Sequence, residues 1–533
     1  MSRGTHSPSP VLYTSTMDES QRGQGEGSSA LDRLSLILIP AFITLAGGLA
    51  AREFLLAPFR AWNDTRLAPS AALLSGSGFY FGPGEGPLLG HIYSPIAPFF
   101  YLPAVLAPSP EGAVMLGTLM TAFAFFGPVL LLLFLGCKGR SRWVWACFLV
   151  FCLFTFYERA LLGPAFWIHA DAPALGFGAI ACAALYGSGV RVGAGRCLVS
   201  AFAVVLAVGS KQVALPLAFA LPLYVWLLEG RGAALRYLVA LALAGVAVLG
   251  FVALWVDFEA MWFTAVTVPM SHPWKAGSAF EGLGASLAEL GWVCLPIMGL
   301  LAGLWLLGRP RRRKQEQGGS PDFLRANPWF LLLFVALFFV PTSVLGFVKV
   351  GGDVNTLAYT AYFAAVAVLL FVLEAIGKWG TSPGDRSGGA ARAALLVAGG
   401  ILALMTLPTL SGTRALYDGY SENPERTAWD FVNTDPRGVY FPFHPLMALM
   451  AEGKAYHTSS GLISQDLTGE RVGPAYLEAH LPPGMQFVAF RGRSDYSERY
   501  FPEYNARLRI PTLPGWTVLA AGRPGARGNV DRN

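Results

Sequence analysis

Long apolar runs separated by short polar loops fill most of this chain. Eleven such runs follow one another between residues 35 and 410. An α-helix needs roughly 20 apolar residues to cross a hydrocarbon core about 30 Å thick. Backbone amides in lipid must bond within their own segment, so these runs predict membrane-spanning helices. The predicted spans are 35–51, 112–136, 143–157, 172–187, 197–209, 213–228, 237–256, 290–307, 329–347, 357–376 and 393–410.

The remaining parts of the chain have a different character. Residues 1–32 are polar and rich in Ser and Gly, which predicts a disordered N-terminal tail. Residues 33–410 form the predicted membrane domain, with a long first outer loop at 52–111. Residues 411–533 have an ordinary composition with strand-like "GVYFPF" and "QFVAFRG". The predicted fold is therefore an all-α polytopic membrane protein of about eleven transmembrane helices with a small C-terminal α+β domain.

Charge placement predicts the topology. The chain is 54% hydrophobic and 14% charged, and its net charge of +6 lies in loops, which does not indicate nucleic acid binding. "RPRRRK" (309–314) belongs in the cytoplasm, so the N-terminus is inside and the C-terminal domain is outside an inner (plasma) membrane. The proline-rich segment 93–108 is predicted to be re-entrant or interfacial. The six cysteines have no CxxC spacing and are interpreted as small core residues.

Three ionisable residues stand out beside the apolar runs: Asp64, Asp171 and Lys211. An ionisable group at membrane depth is costly and is a functional candidate by default. Each also has a structural interpretation. Asp64 could form an ion pair with Arg60 or Arg66 on the same helix. Asp171 could be the N-cap of the helix that follows it, and Lys211 could extend its ammonium group to the membrane interface.

Four segments carry a family resemblance. They are the first outer loop, "NDTRLAPSAALLSGSGFY" with "GHIYSPIAPFFYLPA", then "HADAPAL", "SKQVALPLAFALPL" and "GGDVNTLAY". This pattern resembles the integral-membrane glycosyltransferases of the GT-C superfamily. It is most similar to bacterial enzymes like the protein O-mannosyltransferases, the lipid A aminoarabinose transferases and the rhizobial lipopolysaccharide-core transferases. The resemblance covers about residues 35–410 and is sharp at 62–104, 167–175, 209–216 and 349–359.

The resemblance implies a reaction at the outer face of the membrane. The donor would be a sugar on polyprenyl phosphate, and the acceptor hydroxyl would belong to a lipid, glycan or protein. Asp64 would be the general base of an inverting transfer, and Asp171 the second family acid, which places the acceptor or holds a metal. Lys211 would bind the donor phosphate, with Arg66 and Lys349 behind it, because a leaving phosphate needs positive charge.

Further residues are implied in supporting roles. Substrate binding is expected from Tyr93, Trp167, Gln212 and Asn355, although outer aromatics equally suit a membrane aromatic belt. A possible divalent metal would be held by His169, His91 and His272 together with Asp171. The alternative is that these histidines are interfacial hydrogen-bond donors. The family often has a second acid in the first loop, where this chain has Asn63, which weakens a two-carboxylate metal site.

Two other functions compete with a monosaccharide transferase. One is a flippase or transporter of lipid-linked glycans, which would need broken helices and charges at mid-span. The other is a GT-C ligase or polymerase of surface polysaccharide, which the sequence hardly separates from a monosaccharide transferase.

Overall fold

The computed structural model describes residues 30–137, 141–187, 192–275, 279–307, 320–379, 386–434, 438–469, 472–491 and 499–522. Residues 1–29 of the predicted disordered tail lie outside the described residues, and residues 30–32 begin the first helix. The basic segment 309–314 lies outside them as well.

The membrane part consists of helices joined by loops, the longest of which covers residues 75–95. Its helices are α1 Ala30–Leu56, α2 Ala61–Leu74, α3 Ile96–Tyr101, α4 Pro110–Gly136, α5 Ser141–Tyr157, α6 Arg159–Phe166, α7 Asp171–Leu185, α8 Ala194–Ser210, α9 Leu217–Glu229, α10 Arg231–Val252, α11 Phe258–Trp262, α12 Val268–Ser271, α13 Ala279–Leu307, α14 Ser320–Ala326, α15 Phe330–Val348, α16 Ala358–Trp379 and α17 Arg386–Thr406.

Each of the eleven predicted spans overlaps one of these helices. Seven helical segments in the described part of the chain are long and apolar enough to cross a membrane: α1, α4, α10, α15, α16, α17 and the segment Gln212–Glu229, in which a 3₁₀ turn leads into α9. The count becomes eight if α5 and α6, which meet at a bend of 104°, form one span. The apolar helices α7 and α8, and the apolar part of α13 at Gly282–Leu295, are shorter. The structure thus supports a polytopic membrane protein with seven or eight spans by length, against about eleven predicted.

The segment 93–108 contains only short helices. α3 covers six residues, and a 3₁₀ turn follows at Ala104–Leu106. Both are far too short for the roughly 20 residues of a spanning helix. Pro98 lies within α3 and Pro103 precedes the 3₁₀ turn, where proline removes backbone donors and interrupts helices. This result agrees with the predicted re-entrant or interfacial segment.

Helix α16 is the most enclosed of the seven long apolar helices. Its span is 94% buried inside the protein, whereas the other six are 22–44% buried. The Tyr362 hydroxyl donates to the Phe125 carbonyl of α4 at 2.9 Å and ties two helices of the core together. On α7, a Cβ at Gly176 would lie 2.4 Å from the Ala124 carbonyl oxygen, so only glycine allows α7 to approach α4 this closely. The N-termini of α7 and α16 are therefore held in one place.

The C-terminal domain is a small α+β unit, as predicted. Its helices are α18 Thr413–Asp418, α19 Pro424–Thr434, α20 Leu446–Glu452, α21 Ser459–Asp466 and α22 Pro474–Ala479, and its strands are β1 Val439–Tyr440, β2 Phe487–Phe490, β3 Tyr504–Leu508 and β4 Thr517–Ala521. The sheet order is β1-β2-β4-β3, with β1 parallel to β2 and the other pairs antiparallel.

This domain is docked on the first long loop of the membrane part by direct hydrogen bonds. The Thr458 amide donates to the Leu88 carbonyl at 2.8 Å, and the Leu88 amide donates to His457 Nδ1 at 2.9 Å. Arg426 at the start of α19 holds Glu111 at the start of α4 with two bonds of 2.9 and 3.0 Å. The domain therefore covers one end of the helical bundle, called here the domain end.

Candidate active site

A buried carboxylate at the N-terminus of α7 gathers side chains from three other parts of the bundle. Asp171 Oδ1 lies 2.6 Å from the Lys211 ammonium and accepts a hydrogen bond from the Tyr359 hydroxyl at 3.0 Å. Its Oδ2 accepts from the Asn355 amide at 2.7 Å. Asp171 is fully buried and Lys211 is 4% exposed. The pair is thus a desolvated ion pair whose remaining acceptor capacity is used by neutral donors, as buried ion pairs require.

The imidazole of His169 extends this network towards the surface. Its Nδ1 lies 2.5 Å from Asp171 Oδ2, and its Nε2 lies 2.8 Å from the Tyr93 hydroxyl. The Asp171 amide is also 3.3 Å from Nδ1, but the shorter carboxylate contact assigns the proton to Nδ1. Nε2 is then an acceptor for the Tyr93 hydroxyl. We name Tyr93, His169, Asp171, Lys211, Asn355 and Tyr359 the Asp171 cluster.

Local chain geometry explains how these residues meet. α8 ends at Ser210, and Lys211 has an extended backbone (φ −149°, ψ 124°) that turns its side chain towards α7. Asn355 lies in the 3₁₀ turn Val354–Leu357 that leads into α16, and Tyr359 lies in the first turn of α16, so the two side chains, four residues apart, reach the same carboxylate. The predicted alternatives for two of these residues are wrong. The N-cap of α7 is Ala170 and not Asp171, and Lys211 does not extend to the interface.

A second cation lies beside the cluster. Arg66 of α2 is half-buried, and its Nη1 donates to the Ile168 carbonyl at 3.2 Å. The Asp171 carboxylate acts on it electrostatically, yet the two form no ion pair within 4.0 Å. Burial, together with the nearby Arg66 and Lys211 cations, lowers the pKa of His169 to about 3, so the imidazole is neutral at pH 7. Two cations and one carboxylate leave this region with a surplus positive charge, which suits an anionic ligand.

Asp64 lies in a different cluster, against the C-terminal domain. Its Oδ1 accepts from the Leu446 amide at the start of α20 at 3.0 Å. Glu425 of α19 and His444 lie beside it, and Glu425 Oε1 is 2.9 Å from His444 Nδ1. One ligating atom from each of Asp64, Glu425 and His444 lies within 4.8 Å of the other two. We name these three residues the interdomain acid cluster.

Burial dominates the electrostatics of the interdomain acid cluster. Burial, together with the nearby Glu425 carboxyl, holds the pKa of Asp64 well above its usual value. Burial raises the pKa of Glu425 to about 8 and lowers the pKa of His444 to about 4. Desolvation disfavours the charged form of every member. Among the described residues, Asp64 Oδ2 and Glu425 Oε2 accept no hydrogen bond from an amide, hydroxyl or cationic donor.

Helix geometry explains why Asp64 and Lys211 are separated. Successive residues of an α-helix point about 100° apart, since a turn has 3.6 residues. Asn63 and Arg66, three residues apart, both contact the Ile168 backbone, with Asn63 Oδ1 accepting from the Ile168 amide at 3.0 Å. Asp64 points to the C-terminal domain instead. Its predicted pairing with Arg60 or Arg66 is wrong, because Arg60 pairs with Glu53 and Arg66 bonds the Ile168 carbonyl.

Other predicted site residues lie elsewhere. Lys349 donates to the carbonyls of Pro269 and Met270 at 2.6 and 2.8 Å, so it ties the end of α15 to α12. The Trp167 ring lies 5.1 Å from the Arg60 guanidinium. Gln212 donates to the carbonyls of Ile92 and Ala265 at 3.2 and 3.1 Å. Among the predicted donor-binding and substrate-binding residues, Lys211, Tyr93 and Asn355 are therefore in the Asp171 cluster, and Arg66 is beside it.

The structure does not gather the predicted metal ligands into one group among the described residues. His169 contacts Asp171, whereas His91 Nε2 lies 3.2 Å from the Ser94 carbonyl and His272 packs against Gly351. Within the described residues, the group with metal-ligand spacing is the interdomain acid cluster. Sequence reasoning missed its two C-terminal members. No signal marks them, because Glu425 and His444 sit in a domain of ordinary composition.

Tyr359 was also not among the predicted site residues, although its spacing from Asn355 could have indicated it. Asn355 was a candidate, and Tyr359 follows it four residues later, about one helical turn along the chain. A search of the positions four residues away from each candidate would have found it.

A cavity of about 290 Å³ lies near the Asp171 cluster. It is enclosed by the first long loop, by the 263–268 segment and by the C-terminal domain. Its wall includes Phe81, His91, Ile92, Phe263 and Tyr476. His91 and Ile92 directly precede Tyr93 in the chain, and the Ile92 carbonyl accepts from Gln212, which follows Lys211, so two wall residues are next to the cluster along the backbone.

Comparisons with solved structures identify the fold. The chain is similar to ArnT from Cupriavidus metallidurans bound to undecaprenyl phosphate, with 13% identity, coverage of 91% of this chain and 99% of that chain, and a TM-score of 0.53. It is similar to the same protein in the apo state with 14% identity, the same coverage and a TM-score of 0.50. A weaker likeness, with 12% identity, coverage of 90% and 73% and a TM-score of 0.38, is to the Archaeoglobus fulgidus oligosaccharyltransferase.

No family model and no curated protein matches this chain. ArnT is a lipid A aminoarabinose transferase of the GT-C superfamily, one of the families that the sequence resembles. The predicted resemblance to GT-C glycosyltransferases is therefore confirmed at the level of the fold, which at this identity is what the likeness shows.

Proposed function

We propose that this protein transfers a sugar from a polyprenyl-phosphate donor to an acceptor hydroxyl. The domain end of the bundle would then face the outside of an inner (plasma) membrane, as the charge pattern predicts. Two observations support this function. The fold is similar over 91% of the chain to that of a transferase solved with undecaprenyl phosphate. The Asp171 cluster and Arg66 place surplus positive charge at helix ends, where a membrane-bound phosphate would arrive.

The single observation that carries the proposal is the arrangement of two cations around one carboxylate. Lys211 is neutralised by Asp171 at 2.6 Å, which leaves Arg66 as the cation with spare donors. A guanidinium presents five N–H donors in a fork that matches phosphate oxygens. We assign to Arg66 direct binding of the donor phosphate. We assign to Lys211 the stabilisation of the negative charge that develops on the phosphate as it leaves. Lys349, bound to two carbonyls of α12, is not part of this assignment.

The chemical step is a single displacement with inversion. The acceptor oxygen forms a bond to the anomeric carbon while the bond from that carbon to the phosphate oxygen breaks. Polyprenyl phosphate leaves with the electron pair, and the acceptor proton passes to a protein base. We assign this base to His169, reached through Tyr93. The Tyr93 hydroxyl takes the acceptor proton as its own proton moves to Nε2, and Asp171 stabilises the resulting imidazolium.

Burial supports this route. His169 is 5% exposed and Asp171 is fully buried, whereas Tyr93 is half-buried. Tyr93 is therefore the member of the proton-transfer chain that an acceptor in the adjoining cavity can approach. The aromatic and polar wall of that cavity suits a glycan or a lipid headgroup, so we place the acceptor there.

The predicted role of Asp64 as general base is the competing assignment. Asp64 is fully buried, and its Oδ1 already accepts the Leu446 amide. A base must come within about 3 Å of the proton it removes. Asp64 could meet that condition only if His444 and Leu446 withdrew with the C-terminal domain. The geometry therefore favours His169.

The function is tested by product analysis. Purified protein in liposomes is incubated with a panel of polyprenyl-phosphate sugars and with lipid, glycan and peptide acceptors, and products are identified by mass spectrometry. We expect a glycosylated acceptor together with released polyprenyl phosphate. Movement of the intact donor across the bilayer without cleavage would instead identify a flippase and contradict the proposal.

The base is tested by a matched pair of variants. His169→Asn should lower the transfer rate about 10²- to 10⁴-fold, the usual contribution of a general base. Tyr93→Phe keeps the ring and removes the relay hydroxyl, so it should lower the rate by a smaller factor. Full activity in His169→Asn would contradict His169 as the general base and favour Asp64 instead.

A further inference from the structure

Among the described residues, the interdomain acid cluster brings two buried carboxyl groups together without a protein cation beside them. Asp64, Glu425 and His444 are 0%, 0% and 2% exposed. In the described part of the chain, no Lys or Arg nitrogen forms an ion pair within 4.0 Å of either carboxylate; Arg491 acts on His444 only at longer range. Glu425 Oε1 bonds the imidazole and Asp64 Oδ1 bonds an amide. The other two carboxylate oxygens, Asp64 Oδ2 and Glu425 Oε2, are buried and accept no hydrogen bond from an amide, hydroxyl or cationic donor, and the two carboxyl groups lie within hydrogen-bonding reach of each other.

An unpartnered buried carboxylate oxygen is costly. Desolvation of a polar group without a compensating bond costs a few kcal/mol, and more for a charge. Two such oxygens from different elements, on adjoining side chains, need either a shared proton or a cation. A shared proton would join the two carboxyl groups only, whereas a cation would also use the His444 imidazole that already contacts Glu425.

The donor set and its spacing favour a cation. One atom from each of the three side chains lies within 4.8 Å of the others. Zinc binds imidazole nitrogen at about 2.0–2.1 Å and carboxylate oxygen at about 2.0–2.2 Å, so three ligands need to close by only a small movement. Mixed imidazole and carboxylate ligands suit Zn²⁺, whereas all-oxygen sites suit Mg²⁺ and Ca²⁺.

We propose that Asp64, Glu425 and His444 form a Zn²⁺ site that fastens the C-terminal domain to the first long loop of the membrane domain. Asp64 comes from α2, whereas Glu425 begins α19 and His444 precedes α20. The ion would therefore bridge the two domains. This role goes beyond the proposed sugar transfer and does not depend on it, because the Asp171 cluster uses none of the three ligands.

The metal itself is measured on the full-length protein in detergent or nanodiscs. The protein is stripped with EDTA, titrated with ZnCl₂, desalted and analysed by mass spectrometry for bound metal. We expect about one Zn²⁺ per chain in the wild type and at most about one tenth of that in Glu425→Gln and His444→Gln. The matched control is His457→Gln, which alters another buried histidine of the same interface and should retain the ion.

A second measurement needs no variant and so avoids any folding defect. Co²⁺ loaded into the stripped wild type should give visible d–d absorption of low-coordinate cobalt, and Zn²⁺ should abolish it. Saturating Zn²⁺ should also raise the thermal midpoint by at least about 3 °C.

The outcomes separate this inference from the proposed function. A stripped wild type that takes up no Zn²⁺ or Co²⁺ overturns the metal site and identifies a shared proton between Asp64 and Glu425. If that protein still transfers sugar, the proposed function stands alone. If Zn²⁺ binds with one ion per chain but no sugar is transferred, the metal site stands alone.

Discussion

The Asp171 cluster and the interdomain acid cluster treat a buried aspartate in opposite ways. Asp171 meets a lysine at 2.6 Å and three neutral donors, from Asn355, Tyr359 and His169, so its charge is balanced within the protein. Asp64 meets a glutamate and a histidine, so its charge is not balanced. Both side chains are fully buried. Burial alone therefore does not assign a function; the partner that neutralises the charge does.

The difference also indicates separate roles for the two clusters. A carboxylate that is already paired can orient an imidazole and hold charge steady while substrates change. A carboxylate that lacks a partner can recruit a cation and join two domains. This division places chemistry beside α7 and α8 and places assembly at the contact between α2 and the C-terminal domain.

The largest expected effect comes from removing the cation of the balanced cluster. Lys211→Met leaves Asp171 charged and buried without its partner, which should destabilise the protein by about 3–5 kcal/mol. Thermal unfolding in detergent measures the loss. Adding Asp171→Asn to Lys211→Met should restore most of the stability but not the transfer activity. Additive destabilisation in the double variant would show that the two side chains are not coupled.

The second largest effect is the change in stability caused by Asp64→Asn, which should depend on whether Zn²⁺ is present. Asp64→Asn keeps the acceptor for the Leu446 amide but removes a charge and a ligand. In EDTA the variant should be as stable as the wild type or more so, because repulsion from Glu425 is relieved. With Zn²⁺ at 100 times its dissociation constant the wild type gains about 2.7 kcal/mol that the variant lacks. A variant equally destabilised in both buffers would contradict a metal-dependent role for Asp64.

A smaller effect should follow pH at the same domain contact, away from the proposed metal ligands. Burial lowers the pKa of His457 to about 4, and its neutral Nδ1 accepts the Leu88 amide. Because the folded pKa is below the usual 6.5, the contact is fully stabilised above about pH 6.5 and weakens as pH falls towards 4. Hydrogen exchange of the Leu88 amide should accelerate over that range. His457→Gln should flatten the profile, and an unchanged slope in this variant would assign the pH dependence to another group.

The smallest effect is expected at the rim of the interface. Arg426 is partly exposed, and its two bonds to Glu111 are screened by water. Arg426→Ala should therefore cost about 0.5–1 kcal/mol of docking stability. Limited proteolysis of the segment between α17 and α19 provides the measurement, with Arg414→Ala, an exposed arginine nearby, as the control.

The sequence predicts the helical framework well and the sites only in part. Apolar runs and helices coincide because backbone groups in lipid must form hydrogen bonds within their own segment, as a helix does. The number of apolar runs nevertheless overstates the number of helices long enough to span the membrane. Asp171 and Lys211 were found because ionisable groups beside apolar runs are conspicuous, whereas Asn355 was found through the family resemblance of "GGDVNTLAY". The contact of Asp64 with Leu446 joins residues 382 positions apart, and no periodicity reports such a pair. The direction of Asp64 on α2 also depends on which face the C-terminal domain covers.

The most direct test compares the two aspartates in one assay. Sugar transfer from a polyprenyl-phosphate donor is measured for Asp171→Asn and Asp64→Asn, as the rate per molecule of monodisperse protein. We expect Asp171→Asn to lose at least about 100-fold, because His169 loses the carboxylate that orients it and stabilises its charge. Asp64→Asn should lose much less, through weaker domain docking. The reverse ranking, with Asp64→Asn inactive and Asp171→Asn close to wild type, would contradict the assignment of chemistry to the Asp171 cluster.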